Sequence, residues 1–142
     1  MANFKSLLAT LAVVLVAVWL APVRADDAEV SLKGYDSVAY FTDGKPVKGV
    51  PEFQQEFDGV RYQFSSAQHR ATFAQDPDRY VPQFAGFCAA GMSMGKKIVA
   101  DPTLWKIVDG KLYVFSAAKG LEMAEKDPSL LTRSQENWKA MK

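Results

Sequence analysis

The stretch from Gly86 to Gly95, GFCAAGMSMG, contains the only cysteine of the chain, Cys88, followed closely by Met92 and Met94. The only histidine, His69, lies upstream of it. Thiolate, thioether and imidazole are soft or borderline donors that favour Cu(I), whereas zinc takes four nitrogen, sulfur or carboxylate ligands. Cys88, His69, Met92 and Met94 are therefore the predicted metal ligands, and copper ranks ahead of zinc.

Each of these residues also has an ordinary structural interpretation. A free cysteine often packs as a small buried apolar group, and methionine fills irregular gaps in a core. A histidine on a helix is more often a hydrogen-bonded residue than a ligand. Alternatively, the glycine-rich backbone around Cys88 could direct amide groups at the sulfur and favour a reactive thiolate. The metal site and the redox thiol both remain open at this point.

The N-terminus has the pattern of an export signal. Lys5 precedes an apolar run over residues 7–20, and Val23-Arg24-Ala25 provides small residues around a cleavage point. We expect residues 1–25 to be a signal peptide and residues 26–142 to be the mature domain, in the periplasm or secreted. The apolar run is shorter than the ~20 residues that span a bilayer, so no stable membrane span should remain after cleavage. An uncleaved anchor is the alternative.

Composition limits the other classes of function. With 142 residues, 49% of them hydrophobic, the chain is long enough for one domain and too short for two ordinary ones. Its 17 basic and 16 acidic residues give no broad basic surface for nucleic acid. A single cysteine cannot form an internal disulfide, so a packed core rich in aromatic residues must stabilise the mature domain.

Two segments predict β-hairpins, because apolar and polar residues alternate on both sides of an Asp-Gly pair that suits a tight turn. They are residues 52–57 and 60–64 around Asp58-Gly59, and residues 105–108 and 111–115 around Asp109-Gly110.

The remaining elements are predicted to be helices. Ser65 or Ser66 can cap a helix over residues 67–75, in which His69 and Phe73 share a face, and Pro77 limits its length. Two short helices should follow at the C-terminus, where Gly120 and Pro128 interrupt helix-forming sequence. This order predicts a small single α+β domain in which two β-hairpins form an antiparallel sheet packed by short helices.

The segment YQFSSAQHRATFAQDPDRY, residues 62–80, resembles the YHS domain family, which occurs in heavy-metal transport proteins and some multicomponent oxygenases. GYDSVAYF (34–41), FAGFCAAG (84–91) and DPTLWKIVDGKLYV (101–114) resemble an exported bacterial branch that includes selenoproteins. The metal-type pattern of the family has cysteines after the strand and four residues later, where this chain has Ser65 and His69. The resemblance therefore supports the fold more strongly than it supports a metal site.

Three functional hypotheses follow, in this order. The first is an exported module that binds copper or a similar soft ion through Cys88, with His69 or a methionine. The second is a thiol-dependent redox enzyme, for which His69 could be the base but a resolving thiol is missing. The third is a non-catalytic domain that binds a protein partner. Hydrolase constellations and phosphate-binding glycine loops are not found in the sequence.

Overall fold

The structure is a computed structural model that describes residues 29–142, so the predicted signal peptide, 1–25, lies outside the described residues. The helices are α1 (Ala39–Thr42), α2 (Ala67–Gln75), α3 (Pro77–Tyr80), α4 (Ala89–Ser93), α5 (Ala118–Lys126) and α6 (Ser129–Ala140). The strands are β1 (Val50–Phe57), β2 (Val60–Phe64), β3 (Asp101–Val108) and β4 (Lys111–Phe115). From residue 29 onward, none of the helices has the length and apolar character needed to cross a membrane.

Both predicted hairpins are present. β1 pairs with β2, and β3 pairs with β4, in antiparallel register. Asp58 and Gly59 have φ of 50° and 74°, and Asp109 and Gly110 have φ of 52° and 74°, which are the left-handed values of a two-residue hairpin turn. The hairpins form two separate two-stranded sheets instead of the single sheet that we expected. The α+β class and the single small domain are confirmed.

The chain folds as two copies of one structural unit, residues 30–80 and residues 82–131. Each copy contains a tight turn, a helix of four or five residues, an eight-residue strand, a five-residue strand and a nine-residue helix. From the first strand onward the second copy follows the first by 51 residues, as the starts of β1 at Val50 and β3 at Asp101 show. The sequence analysis found the repeated hairpins but not the whole repeat.

Details of the backbone confirm that the two units are equivalent. The strand pairing shifts between Val50 and Gln54 in the first unit and between Asp101 and Trp105 in the second. The same backbone hydrogen bonds recur at matching lengths: Tyr35 N to Leu32 O and Phe87 N to Phe84 O at 3.0 Å, Asp36 N to Val47 O and Cys88 N to Ile98 O at 2.8 Å. Each residue of one unit can therefore be compared with its counterpart in the other.

Each unit begins with a left-handed turn, Ser31–Gly34 or Gln83–Gly86, whose two central residues are not glycine. Their φ values are 53° and 51° in the first turn and 57° and 52° in the second. Side chains other than glycine rarely adopt this conformation, so its recurrence at equivalent positions is a property of the unit. Two residues after the turns lie Asp36 and Cys88, which are counterparts.

The core consists of two clusters of buried side chains. The smaller lies in the first unit around Phe64 and Phe73, and the larger extends through the second unit around Phe84, Met92 and Phe115. Helix α6 covers the larger cluster and is joined to α4 by polar contacts, including a 2.7 Å hydrogen bond that the Ser134 hydroxyl donates to the Ala89 carbonyl. The second unit is therefore more extensively covered by helices than the first.

The two predicted C-terminal helices are present, but only one of the two predicted interruptions is correct. Pro128 does separate two helices, but Gly120 lies inside α5 and does not interrupt it. A Cβ atom at Gly120 would lie 2.9 Å from the Cβ atom of Ala90. The glycine therefore allows α5 to approach α4 closely, and this packing outweighs its low helix propensity.

Candidate functional site around His69

Asp36 is completely buried, and donors surround its carboxylate. Oδ1 accepts hydrogen bonds from the backbone N–H groups of Val38 and Ala39, at 2.9 and 3.2 Å. Oδ2 accepts from the Ser65 N–H at 2.9 Å and from the Ser65 hydroxyl at 2.7 Å. The first unit thus builds a fixed carboxylate where the start of α1 meets the end of β2.

His69 completes this arrangement. Its Nδ1 atom lies 2.6 Å from Asp36 Oδ2, and its side chain is 15% exposed. The Ser66 side chain caps α2 and accepts a 3.1 Å hydrogen bond from the backbone N–H of His69, which fixes the start of the helix and the position of the imidazole. Because a carboxylate only accepts hydrogen bonds, we assign the proton to Nδ1 from the network. Nε2 then carries the free lone pair.

The surroundings of Nε2 are polar and partly open. Thr42 Oγ1 lies 3.3 Å from it, and Asp43 Oδ1 lies 3.7 Å from it, with the Asp43 side chain 36% exposed. The single hydroxyl proton of Thr42 has two other acceptors in reach, Val38 O at 3.2 Å and Asp43 Oδ1 at 2.9 Å. Within residues 29–142, Nε2 therefore shares its one hydroxyl donor, and its lone pair is available to a metal ion.

The other predicted ligands lie elsewhere. Cys88 is 1% exposed and caps α4, and its sulfur accepts hydrogen bonds from the Gly91 N–H and the Ser116 hydroxyl, each 3.4 Å long. Met92 is buried in the same cluster, whereas Met94 is 60% exposed. In the described chain no hydrogen bond joins His69 to Cys88, and no group of three or more His, Cys, Asp or Glu residues is arranged to hold a metal ion. The ligand role of the four residues stays a prediction.

The repeat relates the surroundings of Cys88 in the second unit to those of Asp36 and His69 in the first. Cys88 is the counterpart of Asp36, and Ser116, which contacts its sulfur, is the counterpart of Ser65. Gly120 is the counterpart of His69, and Ala90 occupies the space that a side chain there would need. The second unit therefore keeps the serine and the turn of this arrangement but lacks both the acid and the base.

Sequence reasoning did not single out Asp36, Thr42 or Asp43 as site residues. A usable signal was present for Asp36, because an aspartate just before a helix commonly accepts hydrogen bonds from the first backbone amides. Its contact with His69, across 33 positions of the chain, has no local signal.

Comparison with known families confirms the resemblance to the YHS domain family, whereas the exported branch stays a prediction. A model of the YHS domain family matches residues 38–84, which run from the start of α1 to the second left-handed turn and include His69. A search of curated proteins and a search of solved structures each found no match. The matched segment coincides with most of the first unit, which contains the imidazole. Over residues 38–84, the chain carries a YHS domain.

Proposed function

We propose that this chain binds a transition-metal ion at His69, with Nε2 as the central ligand. The observation that supports this proposal is the 2.6 Å contact between Nδ1 and the buried Asp36. A carboxylate on the far nitrogen is the common partner of a metal-binding histidine, because it fixes the ring and raises the basicity of the ligand nitrogen. The presence of a YHS domain is consistent with a metal-binding role.

The donors around Nε2 also favour particular metals. The Asp43 carboxylate is the second protein group available, at 3.7 Å from Nε2, while the Ser65 hydroxyl lies on the Nδ1 side of the ring and donates to Asp36. Nitrogen and oxygen donors suit divalent ions, and for such sites affinity is highest for Cu(II) among the common first-row metals. We therefore propose copper as the preferred ion, in its divalent state, with water or a partner supplying the remaining ligands.

Cys88 supports a second candidate, in which it binds Cu(I) with Met92 or acts as a redox thiol. The observation in its favour is the pair of hydrogen bonds directed at its sulfur by Gly91 and Ser116. These two donors hold the sulfur in a fixed position, and the thiolate form of cysteine is the one that binds soft metals and reacts with oxidants. Because the side chain is buried, either reaction needs the second unit to open.

Copper titration of the exported chain, without an affinity tag, tests the first candidate. His69→Asn is the informative variant, because the asparagine amide can still donate to Asp36 while Nε2 is lost. We expect about one Cu(II) per wild-type chain, bound about 100-fold more weakly after His69→Asn and about 10-fold more weakly after Asp43→Asn. Gln68→Asn, at an exposed position of the same helix, is the matched control and should change nothing.

The outcomes separate the candidates. Electron paramagnetic resonance of the Cu(II) complex should show coupling to one imidazole nitrogen that His69→Asn removes. Equal Cu(II) affinity of wild type and His69→Asn would reject the site at His69. Anaerobic competition with a Cu(I) chelator then tests the second candidate, since Cys88→Ser exchanges a thiolate for a hydroxyl and should abolish Cu(I) retention if the thiol is a ligand. If the chain retains neither Cu(II) nor Cu(I), oxidation of Cys88 by peroxide well above the rate of a free thiol would favour the redox thiol, and its absence would leave a non-catalytic interaction domain.

We propose that the chain is exported and acts outside the cytoplasm. The supporting pattern is the basic start, the apolar run and the small residues Val23 and Ala25 at the cleavage-site positions. Intact mass of the exported protein should correspond to a chain that begins at Asp26. Recovery of the full-length chain in the membrane fraction would contradict cleavage and favour an anchor.

A further inference from the structure

The second unit contains a cavity of about 470 Å³ between the β3–β4 hairpin and the helices α5 and α6. Val108 and Tyr113 line it from the strands, Ala124 from α5 and Leu131 from α6. This volume lies within the range of small-molecule sites, about 300–1,000 Å³. The cavity lies in the unit without the imidazole, so it is separate from the proposed metal site.

The repeat shows what is missing from this cavity. The counterparts of these four of its lining residues, 51 positions earlier, are all aromatic and belong to the core of the first unit: Phe57, Tyr62, Phe73 and Tyr80. Phe73 is fully buried, with its ring centroid 4.8 Å from that of Tyr62 and 6.1 Å from that of Phe57. In the second unit the residue at the place of Phe73 is Ala124. Three of the four rings are therefore absent from the second unit, where Val108, Ala124 and Leu131 stand at their positions.

One ring and one polar group remain in the cavity. Tyr113 keeps the position of Tyr62, and its hydroxyl oxygen accepts a 3.1 Å hydrogen bond from Gln135 Nε2. That bond uses the oxygen as an acceptor and leaves the hydroxyl proton for a second partner. A ligand with a hydrogen-bond acceptor beside Tyr113 would satisfy it.

The charged groups at the cavity balance one another. Lys106 forms an ion pair with Glu125 at 3.8 Å. Asp109, in the hairpin turn, and Lys111, at the start of β4, add one charge of each sign. Such a lining gives no net field to attract an ion of either sign. The favoured ligand is therefore uncharged.

We propose that this cavity binds a small, uncharged, planar aromatic molecule. Its ring occupies the place that the Phe73 side chain occupies in the first unit and packs against Tyr113 at the usual separation of aromatic pairs. A carbonyl or similar acceptor on the ring receives the Tyr113 hydroxyl proton. The proposal goes beyond metal binding and does not depend on it.

Acetophenone, a phenyl ring carrying one carbonyl, is a suitable probe. Its titration into the mature chain, followed by NMR, should shift the methyl signals of Ala124 and Leu131 in a saturable manner. Ala124→Phe restores the first unit's ring and should abolish these Leu131 shifts while the chain stays folded. Ala118→Phe adds the same ring at an exposed position of the same helix and should leave binding unchanged.

A second pair of measurements separates the contribution of the ligand's ring to binding from that of its hydrogen-bond acceptor. Tyr113→Phe should weaken acetophenone binding about fivefold, the effect of one net hydrogen bond, and should leave the binding of toluene unchanged. If the Ala124→Phe variant does not fold, Leu131→Tyr is the substitute, because it fills the same space from α6. It should also prevent binding. Absence of saturable shifts in the wild type, or equal binding by the cavity-filling variant, would overturn the proposal. So would a dimer that Ala124→Phe dissociates, because the occupant would then be a second copy of the chain.

Discussion

At the scale of single residues, Asp36 connects the chemistry to the fold. Its carboxylate accepts five hydrogen bonds, from the backbone of Val38, Ala39 and Ser65 and from the side chains of Ser65 and His69. A buried group with this many partners is costly to alter, because each donor left without an acceptor loses its hydration with no replacement. The residue that positions the candidate ligand therefore also holds α1, β2 and α2 together.

We expect Asp36→Asn to lower the free energy of unfolding by about 2–4 kcal/mol, since the new amide group would face donors that it cannot bond. Urea denaturation measures this loss. Asp43→Asn, a similar change at a more exposed carboxylate, should stay within about 0.5 kcal/mol of wild type. Equal losses in the two variants would show that the buried network adds nothing specific to the stability.

At the scale of elements, the two hairpin turns give a matched pair of tests. Gly59 and Gly110 both have φ of 74°, and a Cβ atom at either position would meet no neighbour within 4 Å. Replacement by valine should therefore cost about 1–3 kcal/mol through backbone strain alone, at both positions. The urea midpoints of Gly59→Val and Gly110→Val should fall. Asp58→Asn is the control, because asparagine tolerates the left-handed conformation of that residue.

The contact between α5 and α4 requires a glycine for a different reason, which is lack of space and not backbone strain. Gly120→Ala should destabilise the chain by about 1–3 kcal/mol, because the added Cβ atom meets Ala90 at 2.9 Å in a close-packed contact. Ala90→Gly removes that obstacle, so the double variant should recover most of the loss. Thermal unfolding of the two single variants and the double variant gives the coupling between the two positions. Additive losses would mean that the two atoms do not compete for space.

At the scale of the whole molecule, local signals predicted the hairpins and α2, whereas long-range relations were missed. The alternation of apolar and polar residues, the Asp-Gly pairs and the serine cap each determine structure within a few residues, so they could be found in the sequence. The left-handed turn was not predictable, because Leu32 and Lys33 adopt a conformation that no local rule assigns to them. The candidate site depends on contacts between distant segments, such as Asp36 with His69, and residue types alone could only assemble His69, Cys88 and the methionines into one hypothetical set.

The repeat could have been found in the sequence, and its divergence explains why it was not. The units remain alike where a turn or a helix start demands a residue type, as at Asp58 and Asp109. They differ where side chains meet other parts of the fold: Asp36 and Cys88, His69 and Gly120, Phe73 and Ala124. A comparison of the chain with itself at a spacing of 51 residues aligns these pairs or places them within one residue. We infer that the units share a scaffold, and that the proposed metal site and the proposed ligand cavity belong to different units.

Buried tyrosines give the whole molecule a dependence on alkaline pH. Burial raises the pKa of Tyr40, whose hydroxyl donates a 2.8 Å hydrogen bond to the Pro102 carbonyl, and burial likewise raises the pKa of Tyr62. The neutral form is favoured in the folded chain, so this contribution to stability is fully present below the unfolded pKa of about 10 and declines as pH rises above it. Urea unfolding measured in a series of buffers from pH 8 to pH 11 should therefore show a free energy of unfolding that falls as the pH rises.

Tyr40→Phe separates this titration from that of the other groups. The variant loses the hydrogen bond to Pro102 and should be about 1 kcal/mol less stable than wild type at neutral pH. It also lacks the hydroxyl that ionises in the unfolded chain, so its stability should fall less steeply above pH ~10, and the difference between variant and wild type should narrow as pH rises. Parallel curves for the two proteins across this range would mean that Tyr40 ionises as easily in the folded chain as in the unfolded chain.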